Sequence, residues 1–225
     1  MIFLYVCQMI YNKDTAARIA HSLLQIKAVK LNAGQPFTWA SGLRSPIYCD
    51  NRRTLSFPKI RTFIRQEFAN AIQDKFGSID VIAGVATAGI PQGALVAQEL
   101  GLPFVYVRSS KKEHGMTNQI EGVLNKGQSV VVIEDLISTG KSSLNAVDAL
   151  REAGAEVKGM VAIFTYGLKV ADANFKKYDC PLITLSDYET LIAEAVDKNF
   201  ISEHDHDSLI EWKADPQAWS EAVKI

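Results

Sequence analysis

An α/β fold, with a mostly parallel central sheet flanked by helices, is what this 225-residue sequence predicts. Three observations carry the expectation. Apolar runs at Ile79–Val85, Pro103–Val107, Ser129–Ile133 and Gly159–Phe164 read as strands buried on both faces. Segments of helical periodicity separate them, as a doubly covered parallel sheet requires. The length suits one well-buried domain with a small appendage and is too short for two. In such sheets ligands sit beyond the strand C-termini.

Taken in order, the opening MIFLYVCQMIY is apolar, but it has no basic flank or cleavage pattern and is too short to span a bilayer, so a buried strand or helix is expected. Ala16, Ile19, Ala20, Leu23 and Leu24 follow helical spacing, which predicts an amphipathic helix from Asp14 to Lys30 with Asp14 as N-cap. Phe37 to Asn51, with Gly42, Pro46 and alternating Ile47 and Cys49, reads as a hairpin or extended loop. Ile60, Phe63, Ile64, Phe68, Ala71 and Ile72 restore a helical face that closes at Gly77. Further helices are expected at Pro91–Leu100, stopped by Gly101, and at Ser142–Ala153, stopped by Gly154, with Leu144, Val147 and Leu150 inward. Ser186–Glu189 reads as a capping box opening a helix through Val196, and Ser202 opens another through Lys213. The expected organisation is a single domain over 1–225: an N-terminal helix and a loop segment (1–55), a ligand-binding core (56–185) and C-terminal helices (186–225).

Lys and Arg total 24 against 25 Asp and Glu, so no global positive field recommends nucleic acid or an anionic membrane as partner. Cys7, Cys49 and Cys180 are odd in number and far apart, which argues against a disulfide framework or structural zinc and fits a reducing cytoplasm. His204 and His206 diverge by about 200 degrees on a helix and have no third ligand in view, so no protein metal site is expected.

The chemistry concentrates in Val130–Ser143, VVVIEDLISTGKSS. A buried strand delivers Glu134 and Asp135 to the sheet edge. If the strand ends at Ile133, adjacent acids are released from opposite faces and can share one ligand. The turn behind them offers backbone N–H groups, the hydroxyls of Ser138, Thr139 and Ser142, and the positive end of a helix dipole. Carboxylates for hydroxyls and amides for phosphate suit ribose 5-phosphate. A P-loop is excluded because its first glycine would fall at Asp135, and a glycosidase pair because neighbouring acids at one strand end cannot straddle a sugar.

EDLISTGKS resembles the binding motif for phosphoribosyl pyrophosphate (PRPP) of the type I phosphoribosyltransferases. The resemblance implies that fold, with an N-terminal hood and a small C-terminal helical extension. It places the ribose hydroxyls on Glu134 and Asp135 and the 5-phosphate on Leu136, Ile137, Ser138, Thr139, Gly140, Lys141 and Ser142, with Asp135 also stabilising the developing ribosyl cation. Tyr106–Gly122, YVRSSKKEHGMTNQIEG, combines Arg108, Lys111, Lys112 and His114 with Gly115 and Gly122 as hinges. Such cations would stabilise a departing pyrophosphate. RSSKKEHG resembles the catalytic loop of orotate phosphoribosyltransferases, which reaches the neighbouring subunit's site. This implies a homodimer with shared sites and assigns Arg108, Lys112 and His114 to PRPP, with Lys112 as charge stabiliser or proton donor; Ser109 stands where some relatives have a second lysine.

The acceptor base is also read by resemblance. FTWASGLRSPIYCDNRR, Phe37 to Arg53, is similar to the segment that hoods orotate in that family, and GVATAGIP, Gly84 to Pro91, to its pyrophosphate-side loop. Ala40 and Tyr166 depart from a lysine and an orotate-contacting arginine of some relatives, so the base falls to Arg44, Tyr48, Ser138 and backbone amides near Ser41 to Ser45. Lys141 replaces a common glycine and is expected in helical backbone or pointing outward. Mg²⁺ is expected to enter bound to PRPP. The rivals are a sibling enzyme for another base and a PRPP-sensing regulator that binds nucleic acid. The near-neutral charge, Lys112 and His114 count against the regulator.

Overall fold

The computed structural model describes residues 8–39, 41–109 and 119–223. The chain begins with β1 (Gln8–Ile10) and α1 (Lys13–Gln25). Asn12 caps α1, its side chain accepting the N–H groups of Asp14 and Thr15, so the cap precedes the expected Asp14 by two residues. The helix also stops short of Lys30: Lys27 turns into left-handed backbone at φ 56°, and Val29–Leu31 becomes β2.

Then come β3 (Phe37–Thr38), β4 (Arg44–Ser45), β5 (Ile47–Cys49) and a 3-10 turn (Asn51–Ser56). β3 pairs antiparallel with β4 and β2 with β5, the hairpin character expected of this stretch. α2 (Pro58–Phe76) follows, opened by proline in its first turn and closed by Gly77.

The rest alternates: β6 (Val81–Val85), α3 (Gly89–Leu100), β7 (Phe104–Val107), β8 (Ile120–Glu121), β9 (Ser129–Ile137), α4 (Lys141–Glu152), β10 (Glu156–Thr165), α5 (Lys169–Lys177), β11 (Leu182–Asp187), α6 (Tyr188–Asp197), α7 (Glu203–Ala214) and α8 (Pro216–Ala222). Seven strands form one sheet in the order β1-β11-β10-β9-β6-β7-β8, parallel throughout except for the final β7–β8 pair. Of the opening segment, residues 1–7, with Cys7, lie outside the described residues; Gln8–Ile10 pairs along β11, and Met9 is 39% exposed rather than buried.

Alternation along the strands divides the core in two. Val131, Ile133, Val161 and Ile183 face α1, α2, α3 and α6, while Val130, Val132, Met160 and Ala162 face α4 and α5. Each such side chain contributes roughly 1.5–3 kcal/mol by burial. One capping expectation fails: Ser186 lies buried inside β11 with its hydroxyl on the Ala16 carbonyl, and Asp187 caps α6 instead. Ser202 does form a capping box with Asp205 at α7.

After β6 the chain steps to β7 on one side, and β9, β10 and β11 are added on the other. The β6–β9 boundary is therefore the point where strand order reverses, which is where open α/β sheets bind ligands.

Candidate active site

Pairing of β6 with β9 ends at Gly84–Ile133, so β9 is free of β6 from Glu134 onward. On its other side β9 continues along β10 through Ile137–Thr165, four residues past the expected end at Ile133. This corrects the expectation for the paired acids. Glu134 is 5% exposed and turns to α4, where Oε2 accepts the Ser143 hydroxyl at 2.9 Å and Oε1 accepts the Asp135 N–H at 3.0 Å. Asp135 is half-buried on the hood side, and its carbonyl accepts Asn51 Nδ2 at 2.6 Å.

Their electrostatics differ accordingly. Burial, then the neighbouring Asp135 charge, pushes the Glu134 carboxyl well above the ordinary range. Burial raises Asp135 too, while a hydrogen bond with Glu134 and the Arg52 guanidinium act in the opposite direction without cancelling the rise.

Behind the acids, Ile137 is buried and anchors the end of β9, while Leu136 and Ser138 are half-buried and Thr139 is exposed. The Thr139 carbonyl is held by Asn174 Nδ2 at 2.9 Å. Gly140 sits at φ 76° with Phe175 only 2.6 Å from where a Cβ would stand, so only glycine fits there. Lys141 is the first residue of α4 and is exposed, as is Ser142. No side chain caps α4, so its first-turn amides are left for an anion at the positive end of the helix dipole.

The β6–α3 loop crosses this edge, with a cis peptide bond between Ala86 and Thr87. A Cβ on Gly89 would stand 2.5 Å from the Ile133 carbonyl oxygen, so the GVATAGIP segment lies directly against β9 where the acids begin. Arg108 follows β7, donates its backbone N–H to the Gln119 carbonyl while its own carbonyl accepts Gln119 Nε2 at 2.8 Å, and brings its guanidinium to 3.8 Å from Glu121 of β8. The chain thus enters the cationic segment from the C-terminal end of β7 and returns to the sheet at β8. Lys111, Lys112 and His114, like Ala40, lie outside the described residues.

In the hood, Tyr48 is 39% exposed and tilts against Phe37 at 5.8 Å. Arg44 is a correction: its N–H donates to Ser220 Oγ at 2.9 Å and its guanidinium to the Val223 carbonyl, so it holds the C-terminal helix rather than standing free for a base. Tyr166 is buried between Trp39, at 5.1 Å, and Trp212, at 5.7 Å, and burial pushes its hydroxyl well up. Trp212 and Trp219 belong to the buried core, and Trp39 packs against it. Among the described residues no group of three or more His, Cys, Asp or Glu could hold a metal, and none of their helices is long and apolar enough to cross a membrane. Sequence reasoning missed Ser143, Asn51, Arg52, Thr54 and Gln92. Ser143 lies in the quoted motif, but the other four carry no spacing signal.

A family model described as a phosphoribosyl transferase domain matches residues 55–199. The orotate phosphoribosyltransferase of Listeria innocua is 57% identical over 202 residues, covering 90% of this chain and 97% of that protein. The chain belongs to the orotate phosphoribosyltransferase family. A Bacteroides fragilis orotate phosphoribosyltransferase is 54% identical over 207 residues, covering 92% and 98%. The crystal structure of orotate phosphoribosyltransferase from Aeropyrum pernix matches with a TM-score of 0.71 at 27% identity, covering 82% of this chain and 99% of that one. Leishmania donovani UMP synthase matches at 0.76 and 27% identity, covering 90% of this chain and 43% of that one.

Proposed function

We propose that this chain carries out the orotate phosphoribosyltransferase reaction with the residues of the β6–β9 edge: ribose 5-phosphate passes from PRPP to N1 of orotate, and pyrophosphate leaves. The C1–oxygen bond breaks as the N1–C1 bond forms on the opposite face of the ribose, and N1 gives up its proton. The observation that carries the assignment is the uncapped α4 N-terminus behind the Ser138–Gly140 turn, next to one buried and one half-buried acid where strand order reverses. Amides of 138–142 suit the 5-phosphate. Asp135, half-buried and within the field of Arg52, suits the ribose hydroxyls and the cationic ribosyl transition state. Glu134 holds α4 in place through Ser143 and joins the hydroxyl set only if a ligand draws it out.

For pyrophosphate, Arg108, Lys112 and His114 are the proposed cations, with Lys112 the charge stabiliser or proton donor. Tyr48 and Ser138 are the proposed base contacts. Arg44 would join them only by releasing Val223.

A Mg²⁺ ion fits this donor set as a guest shared with substrate phosphates, because Asp135 supplies one accessible hard oxygen donor and the described residues offer no three-ligand cage. Bound so, Mg²⁺ would neutralise charge on the leaving pyrophosphate. The resemblance of RSSKKEHG to the family's catalytic loop supports a homodimer in which each loop completes its neighbour's site, and the cysteine usage supports a cytoplasmic location.

The test is initial-rate assay of the purified chain with PRPP, Mg²⁺ and a panel of orotate, uracil, adenine and hypoxanthine, following nucleotide and pyrophosphate together. Orotate is expected to exceed the others by at least about 10³-fold in kcat/KM, since a site built to bond a polar group rejects analogues lacking it. Equal use of a purine would assign the chain to a sibling reaction. Tight nucleic-acid binding without turnover would point to a regulator.

A further inference from the structure

A buried polar relay runs from the hood to the acid edge and to α3. Asn51 is fully buried, Nδ2 donates to the Asp135 carbonyl at 2.6 Å, and Oδ1 accepts the Cys49 thiol at 3.2 Å. Its own carbonyl accepts the Thr54 hydroxyl at 2.6 Å, and Thr54 Oγ1 accepts Gln92 Nε2 of α3 at 3.1 Å. Thr54 and Gln92 are as deeply buried as Asn51. Three segments that proposed substrate groups would touch are joined by these bonds: the hood through Cys49, the ribose edge through Asp135, and the pyrophosphate-side loop through the helix that it opens.

Burying three polar side chains costs desolvation that apolar packing would avoid, and the bonds they make, with Gln92 Oε1 left unpaired, return part of this by fixing one arrangement of the three segments. The exposed Arg52 follows Asn51 directly and ion-pairs with Asp50 at 2.6 Å, so the same anchor sets the cation whose field reaches Asp135.

We infer that Asn51 is a positioning residue for the transfer reaction: through the Asp135 backbone it makes sugar-phosphate binding at the acid edge pre-order the base hood. It touches no reacting atom. The inference rests on the proposed role of Asp135 in holding the ribose.

The experiment measures calorimetrically how tightly orotate binds the full-length chain, with and without saturating ribose 5-phosphate and Mg²⁺. These two ligands cannot react, because no pyrophosphate leaving group is present. Wild type is expected to bind orotate at least about fivefold tighter with ribose 5-phosphate, the lower end of ordinary site-to-site coupling. In Asn51→Ala that ratio should fall to about one, while the Kd for ribose 5-phosphate alone changes less than about threefold. In turnover the same variant should raise the orotate KM and leave the PRPP KM in place. A wild-type ratio of one, or a ratio kept in Asn51→Ala, overturns the inference. Failure of ribose 5-phosphate to bind wild type at all would overturn the reading of the acid edge, and the inference with it. If Asn51→Ala does not fold, Thr54→Val removes the next bond in the relay with little change of shape; an undiminished coupling ratio there overturns the inference equally.

Discussion

Gly89→Ala tests the closeness of the β6–α3 loop to the acid edge. The added Cβ would lie 2.5 Å from the Ile133 carbonyl oxygen, against about 3.4 Å for an ordinary contact, so roughly 0.9 Å must be recovered. The carbonyl cannot yield easily, because β9 is central and hydrogen-bonded to β6 and β10 on either side. The loop must lift. Overpacking of this kind costs about 1–3 kcal/mol of stability. A displacement near 1 Å beside reacting groups costs on the order of 10²-fold in rate. Gly101→Ala is the control: Gly101 sits at φ +67° with no heavy atom within 4 Å of the new Cβ, so it carries about 1–2 kcal/mol of backbone strain and no clash. Urea melts and initial rates of orotidine 5′-monophosphate formation should show both variants destabilised and only Gly89→Ala slowed. Wild-type kcat/KM in Gly89→Ala, or equal slowing in Gly101→Ala, would refute the reasoning.

The other predictions concern charge, packing and the loop. Glu134 has a folded-state pKa raised above the ordinary value of 4.5, so the folded chain binds that proton more tightly than the unfolded one. Its stabilising contribution is full below about 4.5 and declines as pH rises through the raised value. Glu134→Gln has no such decline, so urea melts at pH 5 and pH 8 should favour the variant more at pH 8; a gap independent of pH would contradict the burial argument. Trp212 is fully buried among Trp39, Tyr166 and Tyr188, so Trp212→Ala should cost about 3–5 kcal/mol in denaturant. Its indole N–H has no hydrogen-bond partner, so Trp212→Phe should cost well under half of that. Lys112→Ala should lower kcat by about 10²–10³-fold with an unchanged melting midpoint, and unchanged turnover would remove Lys112 from its proposed role.

The fold was legible where pattern and burial agree. Doubly apolar runs marked β6, β7, β9 and β10, and Gly77, Gly101 and Gly154 marked helix ends, because left-handed backbone there suits glycine. β8, β11 and α5 carried no comparable signal: β8 has two residues, and β11 is defined by pairing to β10 and β1 rather than by its own sequence. Asn12 and Asp187 won the caps from Asp14 and Ser186 because strand pairing and side-chain geometry, invisible in a string of letters, decide which oxygen meets the helix amides. At the site, the motif located the acids and the turn. It did not reveal that β10 pairing carries β9 past Ile133, which sets Glu134 and Asp135 to different tasks. Arg44 looked available as a lone cation beside the hood, and only the long-range contact with Val223 shows it engaged.

The most direct measurement is a crystal structure of the chain with PRPP and Mg²⁺. The account predicts the 5-phosphate within hydrogen-bond distance of backbone N–H groups between Ser138 and Ser142, and a ribose hydroxyl on the Asp135 carboxylate. A 5-phosphate seated elsewhere, with the α4 N-terminus bare, would contradict it.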